Sequence, residues 1–549
     1  MTKLRFLFFG FLAVFFIIIL RLFYIQVLHP DLQHDYLSTR KLQPERGKIY
    51  DRNGQPIVMN QILYHLFFEP QLIQNKEKTS SAVSEILKIS DASISARIDT
   101  TKTWTSVWGG ISKQDRDAIL KLNLPGMGFD EQWSRYYPDA SIAAHLAGFV
   151  GKNDEGIDVG RSGVEGFYDK DLGGLPGLIR SDLDLQGRPI FLGTQERIDP
   201  ENGRDIYLTI DKSVQMLVKE KLAAGLEKTG AKEGCAIIAN PNTMEILALS
   251  CLPDYDPDTY YQFSNNVFRN AAIADAYEPG STFKPLIMAT AIDAGLVKPD
   301  TQFNEDGPVT IGEYTIRTWN NTYEGKITLT RALEKSSNVG MVFVGSKLGD
   351  KRLYDAIQHY GFGAETNIDL EGESPGFLKQ KSEWYPIDYA TATFGQGLAV
   401  TPIQMITAFS SIINGGRLMK PYVVKELRGE NIQKIDPIFK KQLISKKTSD
   451  LVKQMLLSTI ENGETKFLKP KGYQIGGKTG TAQIPIEGHY DATKTIASFI
   501  GFSPIKNPQF IGLVIVKEPK SSQWGSETAA PIFFEIAKEL IVYYNVSPE

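Results

Sequence analysis

Cysteine is nearly missing from this chain: Cys235 and Cys251 are the only two in 549 residues. That excludes a disulfide-stapled scaffold. Both lie in apolar, strand-like runs and read as buried thiols, without the His and Cys neighbours a zinc site needs. Histidine is scarce too. The six are His29, His34, His65, His145, His359 and His489, and none stands inside the three short motifs that carry the chemistry below. A Ser-His-Asp triad therefore has no evident members. Nor does one charge sign dominate. Lys and Arg number 60 against 64 Asp and Glu, mixed throughout, for a net charge of -4. That balance argues against nucleic acid as a partner. After residue 28 no apolar run is long enough to cross a membrane.

The N-terminus holds the one run that is. Lys3 and Arg5 precede FLFFGFLAVFFIIIL, and after Arg21 the run resumes as LFYIQVL, so 6–28 is uncharged but for that arginine and apolar but for it and Gln26. As a helix it spans about 34 Å, enough for a bilayer, with Arg21 placed to snorkel at the outer interface. A cleaved signal peptide needs small residues before its cut site, and this segment leaves through Leu22, Phe23, Tyr24 and Ile25. The expectation is a tail over 1–5 on the cytoplasmic side and an uncleaved single-pass anchor over 6–28, with the rest outside the cytoplasmic membrane.

The length predicts two or three domains. PERGKIYDRNGQPI at 44–57 contains an Asn-Gly turn between short strand-like pieces. Residues 80–123 read as helical. GVEGFYDKDLGG at 163–174 and GRPI at 187–190 are rich in glycine and turns. This half lacks both a periodic repeat and concentrated chemistry, so 29–200 reads as an extended, mostly β spacer.

Near 201 the pattern changes. DIYLTID, 205–211, reads as a strand, and 213–230 as an amphipathic helix capped by Gly230. CAIIA and EILALSC flank the turn NPNT as a hairpin. Further strands are expected at 475–484, 495–502 and 510–516, then a helix over 528–544. Strands from both ends of one domain must share a sheet, or their apolar faces stay wet. Residues 201–549 are thus expected to be α+β: an antiparallel sheet of about five strands, helices on its faces and a large helical insertion.

Three short motifs carry the chemistry. In YEPGSTFKPL, Ser281 stands three residues before Lys284, at the start of a helix whose residues are almost wholly apolar. A helix N-terminus offers free N–H groups and positive dipole to an oxyanion. For Lys284 to act as a base near neutrality, its pKa must fall about three units, about 4 kcal/mol. Burial and a nearby cation can do this. The plain alternative is a serine N-cap beside a snorkelling lysine. Ser336-Ser337-Asn338 opens another apolar helix and supplies a hydroxyl for proton relay and an amide for a peptide group. In GGKTGTAQ, 476–483, strand alternation puts Lys478 and Gly480 on one face, and Gly480 is expected to leave open space for an extended chain.

Imitations of these motifs test their weight. Lys228-Thr229-Gly230 ends an amphipathic helix, and Ser264-Asn265-Asn266 precedes the nucleophile. Ser503-Pro504-Ile505-Lys506 lies where a pre-proline residue avoids helix. In Gly372-Glu373-Ser374-Pro375-Gly376, the residue after serine lacks the N–H that a nucleophile elbow uses.

The ordered set S-x-x-K, S-x-N and K-T-G is the penicillin-binding fingerprint. With HLAGFVG (145–151), FRNAAIADAYEPGSTFKP (268–285), FGQGLAVTPIQM (394–405) and ASFIGF (497–502), the chain resembles a class B penicillin-binding protein over nearly its whole length, the division branch more than the elongation branch. The resemblance implies a five-stranded antiparallel sheet with helices on both faces at 201–549, and a pedestal of the dimerisation type at 29–200. It further implies a peptidoglycan D,D-transpeptidase that β-lactams acylate. Ser281 would attack D-Ala-D-Ala and Lys284 take its proton. Ser336 would relay the proton, Lys478 keep the relay electropositive, and Asn338 orient the acyl chain. Thr479 and Thr481 would hold the terminal carboxylate beside Gly480, and the N–H groups of Ser281 and Thr481 would form the oxyanion hole. No metal or organic cofactor is implied. Implied partners are stem peptides of lipid-linked precursor strands, β-lactams, a membrane glycan polymerase and other division proteins; Arg21 and the 6–28 face either contact that polymerase or form an ordinary lipid-facing helix with one snorkelling charge. A D,D-carboxypeptidase, a β-lactam-responsive relative and a scaffold remain open alternatives.

Overall fold

The structure, a computed structural model, describes residues 2–28, 37–154, 156–182, 195–486 and 489–548. GRPI at 187–190, His29 and His34 lie outside them. The chain divides into two compact units: Met1–Glu45 with Gly173–Gly203, and Arg46–Leu172 with Arg204–Glu549. In the first, Lys3–Leu28 forms an apolar helix 26 residues long, with mean hydropathy 2.7 over its most apolar stretch and no buried residue. The guanidinium of Arg21 lies over the Tyr24 ring. Strands Leu37–Leu42, Gly177–Asp182 and Gln195–Ile198 form a small antiparallel sheet in this unit.

The second unit contains the five-stranded sheet. Its strands are β1 (Glu233–Ala239), β2 (Ile246–Leu252), β3 (Gly476–Ile486), β4 (His489–Ser503) and β5 (Phe510–Lys517), in the order β2-β1-β5-β4-β3 and antiparallel throughout. Helices α1 (Lys212–Thr229), α2 (Lys284–Asp293), α3 (Asn338–Leu348), α4 (Pro402–Ile413), α5 (Lys446–Asn462) and α6 (Ala529–Tyr543) surround it. Alternation along β1 shows how both faces are covered. Ala236 and Ile238 pack with residues of α1 and α6, such as Leu222 and Phe533. Ile237 and Ala239 pack on the other side with α2 and α4, such as Ile287 and Phe409. A sheet buried on both faces needs continuous apolar strands, and FIGLVIV in β5 is one. Asp211 caps α1 and Gly230 ends it in the left-handed conformation, so Lys228-Thr229-Gly230 is a helix end.

Three expectations change. The strand Asp205–Leu208 does not join the five-stranded sheet. It pairs antiparallel with Val424–Arg428 and parallel with Ile49–Tyr50, within a second sheet that includes Pro56–Phe68, Thr105–Ile111 and Met127–Tyr136. That shared sheet joins 46–172 to the α+β half in one compact unit. Residues 80–123 are helical only in part, since Thr105–Ile111 is a strand. The cysteines are not thiols: Cys235 and Cys251 face each other on β1 and β2 and form a disulfide. Each run correctly reads as a buried strand, but their pairing depends on the hairpin register, which places them opposite one another.

Candidate active site

The S-x-x-K stretch begins as a 3-10 turn, Gly280–Phe283, which runs into α2. Gly280 has φ +54°, and a Cβ there would lie 2.9 Å from the carbonyl oxygen of Thr481. Glycine thus serves both the left-handed backbone and the close approach to β3. Pro285 sits in the first turn of α2, where a missing N–H is tolerated. Ser281 is the N-cap of neither helix start, since Pro279 and Phe283 hold those positions. Its Oγ instead accepts from Ser336 Oγ at 2.9 Å, so the plain N-cap reading gives way.

Ser336 and Asn338 reach this point because Ser337 caps α3, accepting from the Gly340 N–H at 2.9 Å. Lys284 is fully buried beneath them. Its Nζ lies 2.7 Å from Ser336 O, 2.8 Å from Asn338 Oδ1 and 3.2 Å from Ser336 Oγ. A neutral amine has two N–H donors and one lone pair. The two carbonyl-type oxygens match the donors; the Ser336 hydroxyl directs its one proton to Ser281 and must turn it toward Nζ before the lone pair can accept it. A connected path runs Ser281 Oγ, Ser336 Oγ, Lys284 Nζ.

Burial is the largest influence on Lys284 and holds its pKa well below the ordinary lysine range; the Lys478 cation pushes it further down, while Glu464 and Glu305 oppose. Lys478 is pushed down to about 8, again mainly by burial, with Glu464 opposing. The sequence suggests that each lysine lowers the other. The Lys478 cation does lower Lys284, and the causes that act on Lys478 are burial and, opposing it, Glu464.

On the edge strand β3, Lys478 Nζ donates to Thr479 O and Thr479 Oγ1, both at 3.2 Å. Among the described residues Lys478 makes no hydrogen bond to Ser281, Ser336 or Lys284; it joins them through its charge. The space at Gly480 is not open. A Cβ there would meet Ser498 Oγ at 2.4 Å, Thr282 Cγ2 at 2.9 Å and Pro279 O at 3.1 Å. Glycine is needed because β3 presses against the turn that carries Ser281. Thr481 Oγ1 accepts from the Gly525 N–H at 3.0 Å, which leaves its own proton free to donate.

Sequence reasoning missed two loops that border these motifs. Asn338 Nδ2 donates to Arg317 O at 3.0 Å, and Trp319 Nε1 donates to Lys335 O at 3.3 Å. The other loop carries Gly525. Trp319 and Trp524 meet edge to face with ring centroids 5.1 Å apart, joining the S-S-N side to the K-T-G side. Tryptophan is rare in the chain, with six in all, and that rarity was the only signal available. The imitation motifs stay elsewhere. Ser503 ends β4 with its hydroxyl on Gln474 O, and the Ser374 hydroxyl accepts from Gly376 N–H within its own turn.

Residues 234–538 match the family described as the penicillin binding protein transpeptidase domain, and residues 41–208 match the penicillin-binding protein dimerisation domain. This chain belongs to the class B penicillin-binding protein family. It is 35% identical to stage V sporulation protein D of Bacillus subtilis (strain 168), an alignment covering 97% of this chain and 84% of that protein. With the peptidoglycan D,D-transpeptidase FtsI of Escherichia coli (strain K12) it shares 30% identity over 96% of this chain and 90% of that one. Among solved structures, penicillin binding protein 2X from Streptococcus thermophilus superposes with TM-score 0.78 at 24% identity, over 92% of this chain and 80% of that chain. A peptidoglycan synthetase from Bifidobacterium adolescentis superposes with TM-score 0.76 at 25% identity, over 93% and 98%. The fold is that of a penicillin-binding transpeptidase with an N-terminal dimerisation domain, and its N-terminal apolar helix fits a single-pass membrane anchor.

Proposed function

We propose that this class B penicillin-binding protein is a serine D,D-transpeptidase that cross-links peptidoglycan stem peptides in septal wall synthesis, with Ser281 as nucleophile. The observation that carries the reading is the path Ser281 Oγ, Ser336 Oγ, Lys284 Nζ beneath a lysine held well below its ordinary pKa. Ser281 Oγ bonds the carbonyl carbon of the penultimate D-Ala. Its proton passes to Ser336 Oγ as the Ser336 hydroxyl turns and gives its own proton to Lys284 Nζ. The C–N bond to the terminal D-Ala then breaks, and the proton goes to the departing amine through Ser336. An amine from a second stem then bonds the acyl carbon, the ester C–O bond to Ser281 breaks, and the amine's proton returns to Ser281 Oγ through Lys284 and Ser336. Lys478 supplies positive charge along this path. Asn338 orients the acyl chain, Thr479 and Thr481 bind the terminal carboxylate beside Gly480, and the N–H groups of Ser281 and Thr481 receive the oxyanion.

In this reading residues 201–549 form the transpeptidase domain and 29–200 the pedestal. Residues 6–28 anchor the chain in the cytoplasmic membrane with the basic tail inside. A membrane glycan polymerase and other division proteins are the partners. β-Lactams acylate Ser281 as substrate mimics. A role confined to spore formation is the second reading, favoured by the likeness to stage V sporulation protein D.

Fluorescent penicillin separates these claims. Wild-type protein is expected to carry a stable covalent label, and the Ser281→Ala variant none. Persistent label on the alanine variant overturns the assignment. Label at mid-cell in growing cells supports the septal reading; label found only in sporulating cells supports the second. A donor and an acceptor stem supplied together should give a cross-linked dimer, and free D-Ala without dimer would indicate a carboxypeptidase.

A further inference from the structure

Behind the S-S-N turn lies a carboxylate that this chemistry leaves unused. Glu305 ends the strand Gln302–Glu305, which pairs antiparallel with Gly325–Thr328, and is fully buried. A carboxylate so placed must be paired and hydrogen-bonded. Lys335 Nζ lies 2.6 Å away, the Glu324 N–H donates at 3.3 Å, and the Ser337 hydroxyl donates through a short hydrogen bond. Lys335 is itself nearly buried and also reaches Glu324 at 3.5 Å. Glu324 is paired with Arg331 at 2.9 Å.

A serine hydroxyl has one proton. Here it goes to Glu305, so a lone pair of Ser337 Oγ faces the Gly340 N–H and starts α3 in one register. The residue before it, Ser336, has φ +57°. A non-glycine residue keeps such a backbone only where its surroundings impose it. From that backbone Ser336, together with Asn338, presents three oxygens to Lys284 and one hydroxyl to Ser281.

We propose that Glu305, braced by Lys335, is a positioning residue for acylation: it locks Ser337, the middle of the triplet, so that Ser336 and Asn338 meet Lys284 and Ser281. This rests on the reading of Ser281 as nucleophile and Lys284 as its base. The charge of Glu305 has a second effect. Of the charges facing Lys284, Lys478 on β3 lowers its pKa, while Glu464 after α5 and Glu305 raise it.

The test measures the second-order rate of acylation by fluorescent penicillin across pH, on the detergent-solubilised full chain. Ser337→Ala cuts the link while keeping the Glu305–Lys335 pair. It should slow acylation about 10- to 100-fold with the acid limb unmoved. Glu305→Gln should slow it similarly and move the acid limb to lower pH, because Lys284 loses a negative neighbour. The double variant Glu305→Gln, Lys335→Met also removes the cation, which the single variant leaves with only its longer pair to Glu324. It should recover the wild-type melting temperature but not the rate. Rates within about twofold of wild type in the single variants overturn the proposal, as does a double variant that recovers rate and melting temperature together. If the single variants do not fold, the double variant alone decides. Failure of the parent reading looks different: no label on wild type, or label that survives Ser281→Ala.

Discussion

Ser336 Oγ donates to Ser281 Oγ across 2.9 Å, joining residues 55 positions apart. The same hydroxyl lies 3.2 Å from Lys284 Nζ, so a single atom touches both the proposed nucleophile and its base. Ser336→Ala removes that atom while the Ser336 carbonyl still receives Lys284. The expected outcome is a penicillin acylation rate lower by about 10²-fold or more, in the range of lost acid–base assistance, with little change in melting temperature. An unchanged rate would take Ser336 off the proton path.

Lys478 and Lys284 are linked by charge. The Lys478 cation pushes the Lys284 pKa down, so removing it lets that pKa rise and protonates the base over a wider pH range. Lys478→Gln should therefore shift the acid limb of acylation to higher pH and weaken binding of substrates bearing a free carboxylate. A limb that stays in place would mean that Lys478 acts on the carboxylate alone.

Burial of Lys478 has a stability signature with a definite sign. Its folded pKa is about 8 against an ordinary 10.5, so the folded state resists the proton. The resulting penalty is fully present below pH 8, about 3 kcal/mol, and disappears as pH rises toward 10.5. Lys478→Met should raise the melting temperature of the transpeptidase transition at pH 7 and lose that advantage near pH 10, while activity falls. Melting curves across this range test it. A gain independent of pH would point to packing instead.

Gly480→Ala places a methyl carbon 2.4 Å from Ser498 Oγ and 3.1 Å from Pro279 O. The serine can rotate away, but the Pro279 backbone cannot move without carrying Ser281. We expect a loss of about 1–3 kcal/mol in stability and a larger relative loss in acylation, about 10²-fold. Adding Ser498→Gly should recover stability more than activity. Full recovery of both would show that only the serine was in the way.

Local signals were read directly from the residues. The apolar stretch 6–28 shows its helix by composition. Gly230 ends α1, Pro285 fixes where α2 can start, and the hairpin around NPNT follows from its turn residues. These features depend on backbone sterics and periodicity within a few residues. The three motifs were legible as candidates for the same reason: each lies at a helix start or on a strand whose local pattern is strong. Decisions that depend on register between distant segments were not legible. Pairing of Asp205–Leu208 with Ile49–Tyr50 moved a strand out of the expected sheet. Hairpin register turned two apparent thiols into a disulfide. Close packing of β3 on the Ser281 turn made Gly480 a necessity of contact instead of an opening. Glu305 looks like any acid between turns until burial and Ser337 give it a place. By itself, the sequence determined which elements form and where the reactive groups lie on them. Only the tertiary structure decided which groups share one low-dielectric pocket, because desolvation and charge coupling depend on distance in space.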